Sequence, residues 1–162
     1  MKKKVTIIVL SWLLVLLTMI VIYNFSSEGS KETMQTSESL IIDVLSIFVA
    51  EENITSDLIA ESQFAFRKLA HFTLYMLLGF CLSNAFRATI KLKLCYSYAF
   101  SLISSVIYAV LDEFHQSFTN RTASYKDVLI DSFGALCGIL AFAIFYYIFK
   151  LFESKKTNES NR

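Results

Sequence analysis

VTIIVLSWLLVLLTMIVIYNF, the run from Val5 to Phe25, contains no charged residue. A bilayer's hydrocarbon core is about 30 Å thick, and a helix rising about 1.5 Å per residue crosses it in roughly 20 residues. The run therefore has the length and composition of a membrane span. Lys2, Lys3 and Lys4 precede it, as basic residues precede a secretory signal. A signal's apolar region is shorter, about 7–15 residues, and ends at a small-residue cleavage site. Here the run leads out through Tyr23, Asn24 and Phe25, with no Ala-x-Ala exit. A retained helix is the better reading.

Three further runs repeat the pattern. Leu69–Phe86 lies between Lys68 and Arg87, Leu94–Leu111 follows Lys91 and Lys93 and ends at Asp112, and Val128–Phe149 is closed by Lys150. The shorter runs still suffice for a span. Over 162 residues the chain is 55% hydrophobic and 18% charged, too little polar surface to cover a soluble domain. The expected fold is all-α and integral to the membrane: a four-transmembrane-helix bundle in a single domain over residues 1–153. A disordered, polar, cytoplasmic tail is expected over 154–162. A net charge of +1 gives no reason to expect a nucleic-acid partner. Cys81, Cys95 and Cys137 lie in or at the edge of apolar runs without CxxC spacing, and read as small packing residues.

The charges then set an orientation. With the N-terminus in the cytoplasm, the cytoplasmic segments are Lys2–Lys4, Arg87–Lys93 and Lys150–Arg162, and they hold ten of the fifteen Lys and Arg residues. Ser26–Lys68 and Asp112–Asp127 are rich in Asp and Glu and fall outside. The positive-inside rule thus places both termini in the cytoplasm, the chain crossing its membrane several times. In the first external segment Leu40, Ile41, Val44, Leu45 and Phe48 recur at helical spacing. They predict an extracytoplasmic amphipathic helix around Ser37–Ala50, between the first and second spans. A second helical stretch is expected to begin near Ser56, as N-cap, and run into the second span.

Polar residues gather where the chain meets the outer leaflet. Arg67, His71 and Tyr75 stand at i, i+4 and i+8, and Tyr108, Asp112 and His115 at i, i+4 and i+7. Each set forms one helical stripe. Asp127, Asp131, Gly134 and Gly138 form another face, whose GxxxG step lets a neighbouring helix come close and turns Asp131 towards protein. A charge at mid-bilayer costs about 2.5–3.5 kcal/mol unless paired or wetted, and less near the interface. His71 and Asp131 sit one turn inside their flanking charges and need partners. Arg67, Lys68 and Arg121 are on the same side.

Four motifs in this order, Phe25-Ser26-Ser27, Arg67-Lys68-x-x-His71-Phe72-x-x-Tyr75, Asp112-Glu113-x-His115-Gln116 and Arg121-x-x-Ser124-x-x-Asp127-x-x-x-Asp131-x-x-Gly134, resemble the VanZ-like family. The resemblance runs from the first span to Phe149. It implies a membrane protein linked by its family to low-level resistance to teicoplanin, a glycopeptide aimed at cell-wall precursors. It implies a cell-envelope phenotype and no particular reaction.

Three readings of the cluster stay open. In the structural reading it is an ion-pair and hydrogen-bond network joining helix tops. In the binding reading Arg67, Lys68, Arg121 and Lys126 clamp an anionic headgroup, a lipid-linked cell-wall precursor or the glycopeptide itself. The candidate ligand-binding set is then Arg67, Lys68, His71, Tyr75, Asp112, Glu113, His115, Gln116, Arg121, Ser124, Asp127 and Asp131. In the enzymatic reading His71 or His115 is a base oriented by Asp112, Glu113 or Asp131, for phosphoryl or acyl transfer on a lipid-linked substrate. No nucleophile stands out, because neither Ser117 nor Ser124 lies in a nucleophile elbow. No cofactor is expected and no metal. The spacing of His115, Asp112, Glu113, Asp127 and Asp131 fits no zincin or EF-hand rule, and nearby arginines disfavour a further cation. Trp12 and the aromatic run Phe142–Phe149 read as packing and as an interfacial belt.

Overall fold

The computed structural model describes residues 2–27, 41–47, 49–50, 53–90, 93–118 and 124–160, with side chains to residue 156. Helix α1 is Lys2–Ser27, α2 covers residues 41–47, α3 is Ser56–Thr89, α4 is Leu94–Gln116 and α5 is Tyr125–Ser160. The four long helices each carry an apolar window long enough to cross a membrane. No strand occurs among the described residues. The expected four-helix membrane bundle is the architecture found.

Hydropathy located the spans but cut the helices short. A charged side chain ends an apolar run, yet it does not end a helix whose backbone bonds can continue. So α4 runs past Asp112 to Gln116, and α5 runs from Tyr125 to Ser160. Residues 154–160, expected to belong to a disordered tail, continue α5. Helix α3 begins well before Leu69, as the stretch expected from Ser56 implied, but the cap is one residue earlier. Thr55 has extended backbone and its hydroxyl accepts the Leu58 N–H at 3.3 Å, while Ser56 is already helical. Of the amphipathic helix expected around Ser37–Ala50, residues 41–47 are helical, with Ile41 buried and Leu45 half-buried. Leu40 and Phe48 lie outside the described residues.

Each long helix buries a narrow stripe and presents the rest outward. On α1 the buried side chains are Ser11, Val15, Thr18, Ile22 and Ser26, a stripe of threes and fours. Leu10, Leu13, Leu14, Leu17 and Ile20 are exposed on its other faces. So continuous an apolar exterior fits a helix facing lipid tails, and exceeds what a soluble monomer leaves open.

Helix α3 is the hub, packing against α1, α4 and most broadly α5. Its crossing with α5 is close because glycines line it. A Cβ on Gly134 would press into the Phe72 carbonyl, one on Gly138 into that of Met76, and one on Gly79 into that of Ala135. The Gly134–Gly138 face therefore packs within the chain, against α3. Helix α4 uses serines for the same purpose. Ser97, Ser101 and Ser105 are buried, and the last two return their hydroxyls to their own helix, donating to Ser97 O at 2.8 Å and Ser101 O at 2.9 Å.

The helices alternate in direction. At one end Trp12 Nε1 donates to Thr89 Oγ1 at 2.9 Å, Asn84 donates to Ser11 at 3.0 Å, and the Arg87 guanidinium lies 3.6 Å from the Tyr146 ring centre. At the other end Ser26 meets Asp112, and Lys68 pairs with Asp127. Trp12 packs edge-on against Phe86, as a packing residue would. Phe142, read as part of an interfacial belt, is instead in the core, edge-on against Phe80. Tyr147 and Phe149 are exposed.

Candidate functional site

Three helices bring their polar residues to one end of the bundle, and their register decides which of them meet. Along the crossing of α3 with α5, Lys68 pairs with Asp127, His71 faces Asp131, Phe72 faces Gly134 and Met76 faces Gly138. One turn of one helix matches one turn of the other. The face predicted from Asp127 to Gly138 is therefore a single contact surface with α3, with charge at its rim and glycine at its depth.

Beneath the rim the cluster is buried. His71 is 8% exposed, Asp131 3%, Asp112 4% and Tyr75 not at all. His71 Nδ1 lies 3.9 Å from Asp131 Oδ2, too far for a hydrogen bond and close enough for attraction. Asp112 is bound more tightly. Its Oδ2 accepts from Ser26 Oγ at 2.8 Å, Gln116 Nε2 at 3.2 Å and Tyr75 OH at 3.3 Å. Gln116 Nε2 also donates to Ser26 Oγ at 3.1 Å, which closes the network between α1 and α4. Donor atoms of His71, Asp112 and Asp131 all lie within 4.8 Å of one another. Three helices thus each contribute one ionisable group to one centre.

Around this centre the remaining candidates divide. Glu113 Oε1 accepts the Ser124 N–H at 2.6 Å, and Ser124 Oγ accepts the Lys126 N–H at 3.3 Å, so both fix the start of α5. Lys68 is about a fifth exposed and bound to Asp127. Arg67, one turn above His71, is half-buried with its guanidinium 5.7 Å from the Phe64 ring centre. It pairs with no carboxylate among the described residues. Lys126 is exposed. His115 turns away to α1, its ring 4.8 Å from that of Tyr23, and its buried Nδ1 has no hydrogen-bond partner among the described residues. The predicted stripe through Tyr108, Asp112 and His115 therefore fans over two neighbours. Tyr108 donates to Met19 O at 2.7 Å. Arg121 lies outside the described residues.

Ser26 was absent from the predicted site set, although it stands in the quoted Phe25-Ser26-Ser27 motif. It is fully buried and hydrogen-bonded at the centre. A serine in an apolar run gives no sign of which helix it will face, so only the motif marked it. Ser117, weighed as a nucleophile, donates to Phe114 O at 2.6 Å and is exposed.

The fold and this buried centre define a multi-pass α-helical membrane protein with a polar site at one end of its bundle. The VanZ/LLP1 family model matches residues 10–146, from within α1 to within α5, and the chain belongs to that family. No curated protein and no solved structure gives a significant match.

Proposed function

We propose that this protein acts in the bacterial cytoplasmic membrane, binding an anionic lipid headgroup or a lipid-linked cell-wall precursor at the polar end of its bundle. The Lys and Arg asymmetry supports a placement with that end outward and both termini in the cytoplasm. The reading is carried by Arg67. Its guanidinium is held on an aromatic ring at the edge of a buried polar centre, with no carboxylate partner among the described residues. Lys68 beside it already balances Asp127. An arginine so placed offers a planar fork of donors to a phosphate oxygen pair. Binding a precursor headgroup would limit a glycopeptide's access to its target, which is the route proposed here to teicoplanin resistance.

The test uses full-length protein in nanodiscs. A polyprenyl phosphate or phosphatidylglycerol should raise its thermal midpoint, phosphatidylcholine should not, and Arg67→Gln should abolish the difference. Equal response to anionic and zwitterionic lipids overturns the binding reading. The resistance link is tested in cells expressing wild type or His71→Ala at matched membrane abundance. Protection by wild type alone upholds it, and no protection from either detaches it.

A second reading is favoured by the His71–Asp131 approach, which has the arrangement of a base and its orienting carboxylate. In that reading the protein performs phosphoryl or acyl transfer on a lipid-linked substrate. Turnover of such a substrate by purified protein, lost in His71→Ala, would establish it.

A further inference from the structure

We infer that His71, Asp112 and Asp131 together bind one divalent transition-metal cation. The inference goes beyond headgroup binding and stands without it. It begins with convergence: an imidazole from α3, a carboxylate from α4 and a carboxylate from α5 bring donor atoms within 4.8 Å of one another. All three residues are more than nine-tenths buried. Donors around a cation at about 2.0–2.2 Å stand about 3.4 Å apart in tetrahedral geometry. Small rotations of three side chains close the remaining gap.

A second, independent observation is the state of Asp131. It is 3% exposed, and among the described residues the one ion-pairing group that approaches it is the His71 imidazole, 3.9 Å from Oδ2 and too far for a hydrogen bond. A carboxylate buried in this way is costly unless something positive meets it. Lys68 is bound to Asp127 at the rim and Arg67 lies over Phe64, and neither forms an ion pair with Asp131. The space Asp131 faces is the space shared with His71 and Asp112.

Asp112 adds a third. Its three hydrogen bonds all fall on Oδ2, from Ser26, Tyr75 and Gln116. Outer-shell donors gathered on one oxygen orient a ligating carboxylate and leave its other oxygen available to a cation. One imidazole nitrogen with two carboxylate oxygens favours zinc, manganese or ferrous iron over calcium and magnesium, which take all-oxygen sets. Two negative charges match a divalent ion, and three protein ligands leave a coordination position open.

The absence of a metal-binding spacing in the sequence is explained by this geometry. Spacing rules describe ligands on one helix or loop, whereas these three lie on three helices and far apart in the chain. Of the arginines that seemed to disfavour a cation, Arg67 lies at the rim over Phe64; Arg121 is outside the described residues.

The experiment uses the full chain, purified in detergent without a histidine tag. It is incubated with Zn2+ or Mn2+, desalted and analysed for metal by mass spectrometry. Wild type and Asp43→Asn, an exposed carboxylate on α2, should retain about one equivalent per chain. Asp131→Asn and His71→Gln should retain less than about a tenth of that. Wild type with no retained metal, or Asp131→Asn and His71→Gln retaining as much as wild type, overturns the inference. If both variants fail to fold, a metal titration of wild type decides. A thermal midpoint rising by about 5 °C and saturating near one equivalent upholds the site, and an unmoved midpoint sinks it. None of these readouts involves lipid, so a failure of headgroup binding is seen separately.

Discussion

Asp112 collects three donors on one carboxylate oxygen, and the closest of them belongs to a serine on another helix. Ser26→Ala removes the link from α1 and leaves the carboxylate with two. A hydrogen bond between helices inside a membrane is worth about 1 kcal/mol, since unfolded helices find partners too. Ser26→Ala should therefore lower stability by about that amount, read as a fall in the denaturant midpoint in detergent. Tyr75→Phe, which loses a longer bond, should lower it less. At this scale the sequence was informative about His71, Tyr75, Asp112 and Asp131, because helical spacing alone puts them on inward stripes. It gave no sign of which helix Ser26 faces, and it could not separate His115, which turns to Tyr23 on α1, from Asp112, which reaches Tyr75 on α3 as well as Ser26 on α1. The placement of neighbouring helices decided both.

Where two helices cross, the smallest side chains decide how near they come. Gly138 on α5 lies against the backbone at Met76, and even a methyl group there would meet the carbonyl oxygen. Gly138→Val should push α3 and α5 apart and cut the folded protein recovered from membranes several-fold, while Ala141→Val on the exposed face should not. The start of α3 offers a gentler test. Thr55→Ala removes the cap on the Leu58 N–H, worth about 1 kcal/mol, and should speed hydrogen exchange over 56–60 without altering the spans. Elements were legible as spans because apolar length is a strong signal. Their ends were not, since Asp112–Gln116 and 154–160 are polar by composition but helical by continuation.

Taken whole, the molecule has its chain ends and the α3–α4 connection at one end and the polar centre at the other. The charge asymmetry predicts which end is cytoplasmic, and labelling can check it. With Cys81, Cys95 and Cys137 replaced by serine, Lys3→Cys and Lys155→Cys should react with an impermeant thiol reagent only after cells are opened. Asp57→Cys, near the start of α3, should react in intact cells. The reverse pattern would invert the topology and remove the outward-facing site. Fold class was readable at this scale from four runs and their flanking charges. The hub position of α3 was not, because hydropathy gives the number of helices and says nothing of which lies in the middle.

The centre has one member on each of the last three spans, and that sets an order in time. During synthesis His71 enters the membrane first, Asp112 follows after a further span, and Asp131 arrives only with the final helix. A chain interrupted before that last crossing carries a histidine and an aspartate inside lipid with their set incomplete. Such an intermediate holds polar groups in lipid without their partner, and the finished protein covers the same groups once α5 has docked.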